Sequence, residues 1–201
     1  MRVGRLVVPS PLPAIDDPAT GQRIVFLQTG ETTGGELLEC DLFVAPGGFV
    51  PLHMHPHQEE RFEAISGYLR FRLGRERRVV AAGEVVVARP RTAHWFRNES
   101  DREAHFRVLV SPAWRTEHVL LLIGLARDGL IRMRKHGYPT PLLQAAVLGT
   151  GPLDEVCLPF VPLGLQKAAF RALAPLGRAL GYRSVFPEYR PGAAAWPSVS
   201  P

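Results

Sequence analysis

Cysteine is scarce: in 201 residues there are two, Cys40 and Cys157, far apart and without CxxC spacing. That excludes a disulfide framework and a thiolate zinc site, and leaves both as small apolar residues suited to burial. Long apolar runs are missing as well. No stretch approaches the roughly 20 apolar residues that span a bilayer, and the first residues, MRVGRLVVPSPLPAIDDP, lack the apolar core and cleavage site of a signal peptide. A cytoplasmic location is the expectation. No internal repeat is found, and no helix-turn-helix pattern precedes the strand-rich region, which argues against a transcription factor. The basic residues are scattered and not interleaved with stacking aromatics, so nucleic acid is not an expected partner. What is present is 46% hydrophobic content, enough for one sizeable core and a smaller appendage.

Charge and texture divide the chain in two. Residues 1–112 carry 14 Arg/Lys against 14 Asp/Glu, whereas the remainder carries 10 against 5 and holds the whole excess. From Arg23 to Ser111 short runs alternate with turn residues: IVFLQT before Gly30, ELLECDLFVA before Pro46, RFEAIS before Gly67, YLRFRL before Gly74, RVVAA before Gly83, EVVVA before Pro90 and HFRVLV before Ser111. Leu69, Phe71 and Leu73 face opposite to Tyr68, Arg70 and Arg72, and Ala104, Phe106, Val108 and Val110 repeat the pattern, as half-buried antiparallel strands do. A sandwich or barrel of many short strands follows.

After Pro112 helices are expected. TEHVLLLIGLARDG offers Thr116 as an N-cap and Gly129 beyond the last turn, with Val119 to Ile123 apolar all round and so buried on more than one side. Between Leu165 and Gly181, Leu165, Ala169, Ala172, Leu173, Leu176 and Leu180 share one face, with Lys167, Arg171 and Arg178 opposite and Pro175 expected to kink or split the helix. Its stripe suits packing on the barrel or on a second subunit, or contact with an anionic membrane surface. The domain expectation is an arm over 1–22, a barrel over 23–112, a helical extension over 113–190 and a disordered tail over 191–201.

The chemistry concentrates in GGFVPLHMHPHQEERFEAISG, residues 47–67, which holds three of the seven histidines. His53 and His55 lie two apart, so a strand presents both imidazoles on one face. Glu60 opens the alternating set Glu60, Phe62, Ala64, placing a charge on the core face, where it needs a partner. His94, between apolar strand residues, is a fourth candidate. Three imidazoles and a carboxylate suit borderline divalent ions. His57 follows Pro56 at a strand connection and reads as a solvated side chain, His105 alternates out of the apolar set Ala104, Phe106, Val108 and reads as a surface histidine, and His118 and His136 lie outside the barrel with no metal-like spacing.

This stretch resembles the first motif of the cupin superfamily, G(X)5HXH(X)3-4E(X)6G, at Gly47, His53, His55, Glu60 and Gly67. The second motif, G(X)5PXG(X)2H(X)3N, is similar to the run from Gly83 through His94 to Asn98, with Arg89 and Arg91 where proline and glycine are usual. The resemblance implies a mainly β fold, an antiparallel jelly-roll (cupin) β-barrel followed by the C-terminal α-helical extension. It also implies one divalent metal on His53, His55, Glu60 and His94. Iron is favoured, with manganese, nickel, zinc or copper as alternatives. Glu59 competes for the carboxylate role, but only Glu60 keeps the six-residue spacing to Gly67.

Dioxygenase chemistry is the most frequent outcome among cupins with this ligand set, so the resemblance implies an oxidoreductase acting on a small organic molecule. Isomerase, decarboxylase and lyase chemistries share the ligands, and a non-catalytic ligand-binding or sensor barrel is the alternative of another class. Phe62, Phe71, Arg91 and Phe96 are candidates for a substrate pocket, though the aromatics also suit a core and Arg89, Arg91 and Arg97 also suit surface ion pairs. No catalytic residue and no organic cofactor site is singled out. A homodimer is expected, because an open sheet edge invites pairing.

Overall fold

The alternating runs form ten strands in two antiparallel sheets. A computed structural model describes residues 14–186 apart from 18, 135, 136 and 185. His136, most of the N-terminal arm and the tail over 191–201 therefore lie outside the described residues. The strands are β1 (Ile15–Asp17), β2 (Gln22–Gln28), β3 (Leu38–Val44), β4 (Phe49–His53), β5 (Glu59–Ser66), β6 (Tyr68–Leu73), β7 (Glu76–Ala81), β8 (Val85–Ala88), β9 (His94–Arg97) and β10 (Ala104–Ser111). Six pair in the order β1-β2-β3-β10-β5-β8, and four in the order β4-β9-β6-β7. This is the antiparallel jelly roll expected. Strand β1, inside the stretch read as an arm, pairs with β2 through Ile15 opposite Ile24.

Alternation decides which side chains meet between the sheets. Ala104, Phe106, Val108 and Val110 are buried from β10, Phe62 and Ala64 from β5, and Leu69 and Phe71 from β6. The rings of Phe62, Phe71, Phe96 and Phe106 pack with centroids 5.0 to 5.9 Å apart, two from each sheet. Each buried ring contributes about 1.5–3 kcal/mol. The motif residues hold the ends of the sheets. Gly67 turns β5 into β6 at φ +70°, and a Cβ there would lie 2.9 Å from the Ala104 Cα, so only glycine fits. The buried Asn98 amide donates to the carbonyls of Val44 and Arg102, both at 2.7 Å, while its own oxygen accepts from the Ser100 backbone N–H at 2.9 Å. Arg91 occupies a left-handed position, φ +65°, in a turn closed by the Thr92 N–H donating to the Arg89 carbonyl at 3.0 Å. With Pro90 before it, this is the geometry a type II turn gives to glycine.

The extension comprises α1 (Thr116–Arg127), a short ribbon of β11 (Arg132–Met133) and β12 (Pro139–Thr140), α2 (Leu142–Gly149), a 3-10 turn at Pro152–Glu155 and α3 (Leu163–Ala179). Thr116 does not cap α1 as expected. It is the first helical residue, and its hydroxyl donates to the Ala113 carbonyl at 2.7 Å. Glu117 in the same turn is buried and accepts from the backbone N–H groups of Gly30 and Glu31, tying the helix to the loop after β2.

Helix α3 runs unbroken through Pro175, which faces solvent, where the carbonyl deprived of its partner can be hydrated. Its buried face is also not the leucine stripe. Gln166, Ala174 and Gly177 are buried, while Leu165, Leu176 and Leu180 are 63%, 54% and 63% exposed. The reason is close approach to α2: a Cβ on Gly177 would lie 2.6 Å from Val147 Cγ2 and 2.9 Å from the Leu143 carbonyl oxygen. Small residues let the two helices meet, and the leucines are left outside.

Candidate metal centre

Register brings the two motifs together. His53, the last residue of β4, lies opposite His94, the first of β9, in the four-stranded sheet. Glu60 enters from β5 in the facing sheet, with Glu59 and Arg61 pointing outward. His55 follows β4 after Met54, which makes an isolated antiparallel bridge to Cys157 of the extension through hydrogen bonds of 3.0 and 2.9 Å. A further bond, from the Arg91 N–H to the His55 carbonyl at 2.8 Å, ties the second motif's turn to the first motif.

Each imidazole has one nitrogen committed to oxygen acceptors. His53 Nδ1 lies 2.8 Å from the Pro51 carbonyl oxygen and His94 Nδ1 2.9 Å from that of Thr92. His55 Nδ1 is 3.1 Å from both the Gln58 side-chain oxygen and the Glu155 carbonyl oxygen. Carbonyl oxygens only accept, so Nδ1 carries a proton in all three rings, and Nε2 donates a hydrogen bond when the ring is charged or offers a lone pair to an ion when it is neutral. His94 Nε2 and His55 Nε2 then meet Glu60 Oε2 at 3.0 and 3.4 Å. Burial would raise the Glu60 carboxyl, but hydrogen bonds from His55 and His94 outweigh it and hold Glu60 well below the usual carboxylate range. Burial would likewise lower His55, and the hydrogen bond to Glu60 and its charge reverse this, leaving it raised. His53, desolvated and beside the other two imidazoles, is pushed well below the ordinary value.

These features fit a metal. The four donor atoms lie within 4.8 Å of one another. Bonds of about 2.1 Å separate neighbouring donors by about 3 Å and opposed ones by about 4.2 Å, so a small contraction closes the set on an ion. Fixing Nδ1 by a carbonyl orients Nε2 and raises its basicity, as ligating histidines require.

Above the cluster opens a cavity of about 530 Å³, with Glu60, His53 and His55 on one wall and Val119, Leu120 and Ile123 of α1 on another. Phe62 and Phe96 line it as well. Phe71 does not: it is fully buried among the rings of the barrel core. Arg91 does not either. Its backbone serves the turn and its side chain is exposed, as are those of Arg89, Arg97 and Glu59. His57 is exposed and stands edge-on to Trp114, 6.1 Å between centroids.

Two contributors went unnoticed in the sequence. Gln58 is buried; besides accepting from His55, its amide donates to the Pro112 carbonyl and the Thr116 hydroxyl, both at 2.7 Å. Glu155 supplies the second acceptor for His55, and burial raises its own carboxyl. A polar residue in the run HPHQEE carries no mark of burial, and Glu155 lies 100 residues from His55, so neither had a local signal.

A two-sheet jelly roll with three imidazoles and one carboxylate between its sheets defines a class of small β-barrel proteins with a metal-type site. Residues 42–111 match the family model described as the cupin domain, so the chain carries a cupin domain followed by C-terminal helices. Solved structures similar to it include KdgF from Halomonas sp., 18% identical over 49% of this chain and 84% of that one, TM-score 0.44. A sugar phosphate isomerase from Silicibacter pomeroyi is 19% identical over 50% and 71%, TM-score 0.42. A predicted oxalate decarboxylase from Thermotoga maritima is 19% identical over 53% and 97%, TM-score 0.47. A comparison with curated proteins finds no match.

Proposed function

We propose that this chain is a metal-dependent cupin enzyme of the cytoplasm that binds one divalent ion on His53, His55, Glu60 and His94 and oxidises a small organic molecule in a dioxygenase-type reaction. The observation that carries the reading is the set of three imidazoles, each with Nδ1 spent on carbonyl oxygen, two of them with Nε2 at 3.0 and 3.4 Å from the Glu60 carboxylate, all four donor atoms within 4.8 Å of one another at the end of an apolar cavity. A bound ion, iron in the first place and otherwise manganese, nickel, zinc or copper, would supply Lewis acidity and, if iron, dioxygen chemistry at the positions four protein ligands leave open. The chain's own part is to orient and to exclude water. Gln58 and the Glu155 carbonyl hold the His55 ring, Pro51 and Thr92 hold the other two, and Phe62, Phe96 and α1 keep the approach dry, which strengthens every polar interaction at the site.

Elemental analysis by mass spectrometry, on protein purified without added metal and on a His53→Ala/His94→Ala variant, tests the site. Near-stoichiometric metal in the parent and none in the variant supports it; no metal after reconstitution with each ion sinks it. Oxygen consumption separates the oxidase-type reaction from isomerase, decarboxylase or lyase chemistry on the same ligands. Tight ligand binding without turnover would move the assignment to a sensor barrel.

A second reading concerns the surface. On α3, Leu165, Leu176 and Leu180 face outward, and the helix carries Arg171 and Arg178, both exposed, and Lys167, which pairs with Asp154 at 3.0 Å, with no acidic residue of its own. An exposed apolar stripe on a cationic helix favours contact with anionic lipid. Sedimentation with anionic liposomes, abolished by Leu176→Glu with Leu180→Glu, supports it. A homodimer paired through an open edge, β7 or β8, belongs to the same proposal, and equilibrium sedimentation decides it.

A further inference from the structure

We infer that the cavity takes an elongated apolar molecule with a single small polar head, of the fatty-acid kind, its head toward His53, His55 and Glu60 and its body against α1 and α2. The inference rests on the metal reading only for which end of the ligand meets the cluster. The cavity, of about 530 Å³, falls within the range of about 300–1,000 Å³ that encloses drug-sized ligands. Its character comes from the extension. Helix α1 is apolar on all sides, and each side has its own use. Leu121 joins the barrel core with Leu120 and Ile123 packed against it, Leu122 and Leu125 pack in a second cluster with Ile131 and Leu148, and Val119, Leu120 and Ile123, only partly buried, also line the cavity. The surface these three side chains keep open leaves apolar burial for a ligand to complete.

Three of the polar side chains of the wall already have partners in the protein. Tyr138 donates its hydroxyl to the Leu52 carbonyl at 2.8 Å, and Gln22 donates to the Phe49 carbonyl at 2.8 Å. Gln166 accepts from the Leu158 N–H at 3.0 Å. A polyol would therefore lose its hydration without finding partners, at a cost in affinity for every unpaired hydroxyl. A phosphorylated ligand fares no better: Arg134 is the one Arg or Lys among the described lining residues, and its side chain is exposed. The rim is apolar too, since Leu142 and Phe160 line the cavity yet are 63% and 67% exposed. An entrance of that kind admits a hydrocarbon chain from solution or from a lipid surface.

The test titrates the full chain, metal-free and metal-loaded, with a fluorescent long-chain polyene fatty acid, using palmitate and glucose 6-phosphate as competitors. Saturable single-site binding that palmitate displaces and glucose 6-phosphate does not is expected. Binding should weaken at least tenfold in Ala145→Trp, which fills the cavity, and in Ile123→Arg, which charges it, with melting curves checking the fold of both. Ile65→Gln, exposed on β5 away from the cavity lining, should leave it unchanged. Non-saturable binding, displacement by the sugar phosphate, or loss in Ile65→Gln with both cavity variants unaffected overturns the inference. These readouts on the parent chain stand even if a cavity variant fails to fold. Adding the fatty acid free or within neutral vesicles distinguishes the two sources. If the probe binds as expected but no metal is ever retained, the enzyme reading falls and this one stands; metal retained without probe binding is the reverse.

Discussion

Replacing Gln58 by methionine removes one amide while keeping the volume nearly constant, and the structure sets the size of the effect. Gln58 is buried, accepts from His55 Nδ1 at 3.1 Å and donates to the Pro112 carbonyl and the Thr116 hydroxyl at 2.7 Å each. Each net hydrogen bond is worth about 1 kcal/mol, and a buried acceptor left unpaired costs about 1–3 kcal/mol. The Thr116 hydroxyl keeps its bond to Ala113 and His55 keeps the Glu155 carbonyl, so the Pro112 oxygen is the main orphan. The expected loss is about 2–4 kcal/mol, or roughly 4–16 °C in melting temperature for a chain of this size. Metal affinity has a separate cause of loss. With one of its two acceptors gone, the His55 ring is less firmly oriented, and removal of such a partner typically costs 10–100-fold. The assay is thermal unfolding of the metal-free protein beside competition with a chelating indicator. A melting shift below 2 °C would refute the hydrogen-bond accounting. Full loss of stability with unchanged metal affinity would refute the positioning of His55.

Metal affinity should rise with pH. His53 is held neutral and Glu60 ionised, while His55 is raised above the ordinary imidazole value, so His55 must give up its proton to bind. Affinity should increase about tenfold per pH unit below the raised value and level off above it; isothermal titration in buffers of different ionisation enthalpy counts the proton, and a flat profile from acid to neutral pH contradicts the assignment. Gly67→Ala should destabilise by at least about 2 kcal/mol, because it adds left-handed strain to a backbone clash; a denaturant midpoint equal to that of the parent would show that the turn is not constrained. Arg91→Gly should stabilise by about 0.5–1 kcal/mol, the left-handed cost of about 1–2 less the chain entropy glycine adds, and a lower denaturant midpoint would refute it.

Legibility followed range along the chain. Phe62, Ala64, Phe71 and Phe106 could be assigned to the core because alternation is a property of neighbours. His53, His55 and Glu60 could be grouped because eight consecutive residues contain them, and His94 because it sits at fixed spacing between Gly83 and Asn98 in a second motif. Helix α2 could not. It is eight residues of LLQAAVLG with no capping side chain, as readily a buried strand as a helix, and its identity comes from packing on Gly177. The stripe on α3 misled for a related reason: periodicity shows that leucines share a face but not which face meets a neighbour, and here backbone proximity to α2 outweighed burial of Leu176 and Leu180. Phe71 and Phe96 look alike in sequence, yet one closes the core and the other lines the cavity.

The extension acts on the site by two routes, and both converge on one short segment. Met54, between two of the candidate ligands, exchanges backbone hydrogen bonds with Cys157, and two residues earlier the Glu155 carbonyl holds His55. The end of the 3-10 turn and the chain just after it therefore set the orientation of His55 while α1 and α2 wall the cavity above it. A barrel cut at residue 112 would keep His53, Glu60 and His94 but would lose the second acceptor of His55, the donor target Thr116 of Gln58 and the apolar wall. Its four ligands would remain in the sequence, and the arrangement that makes them a site would not.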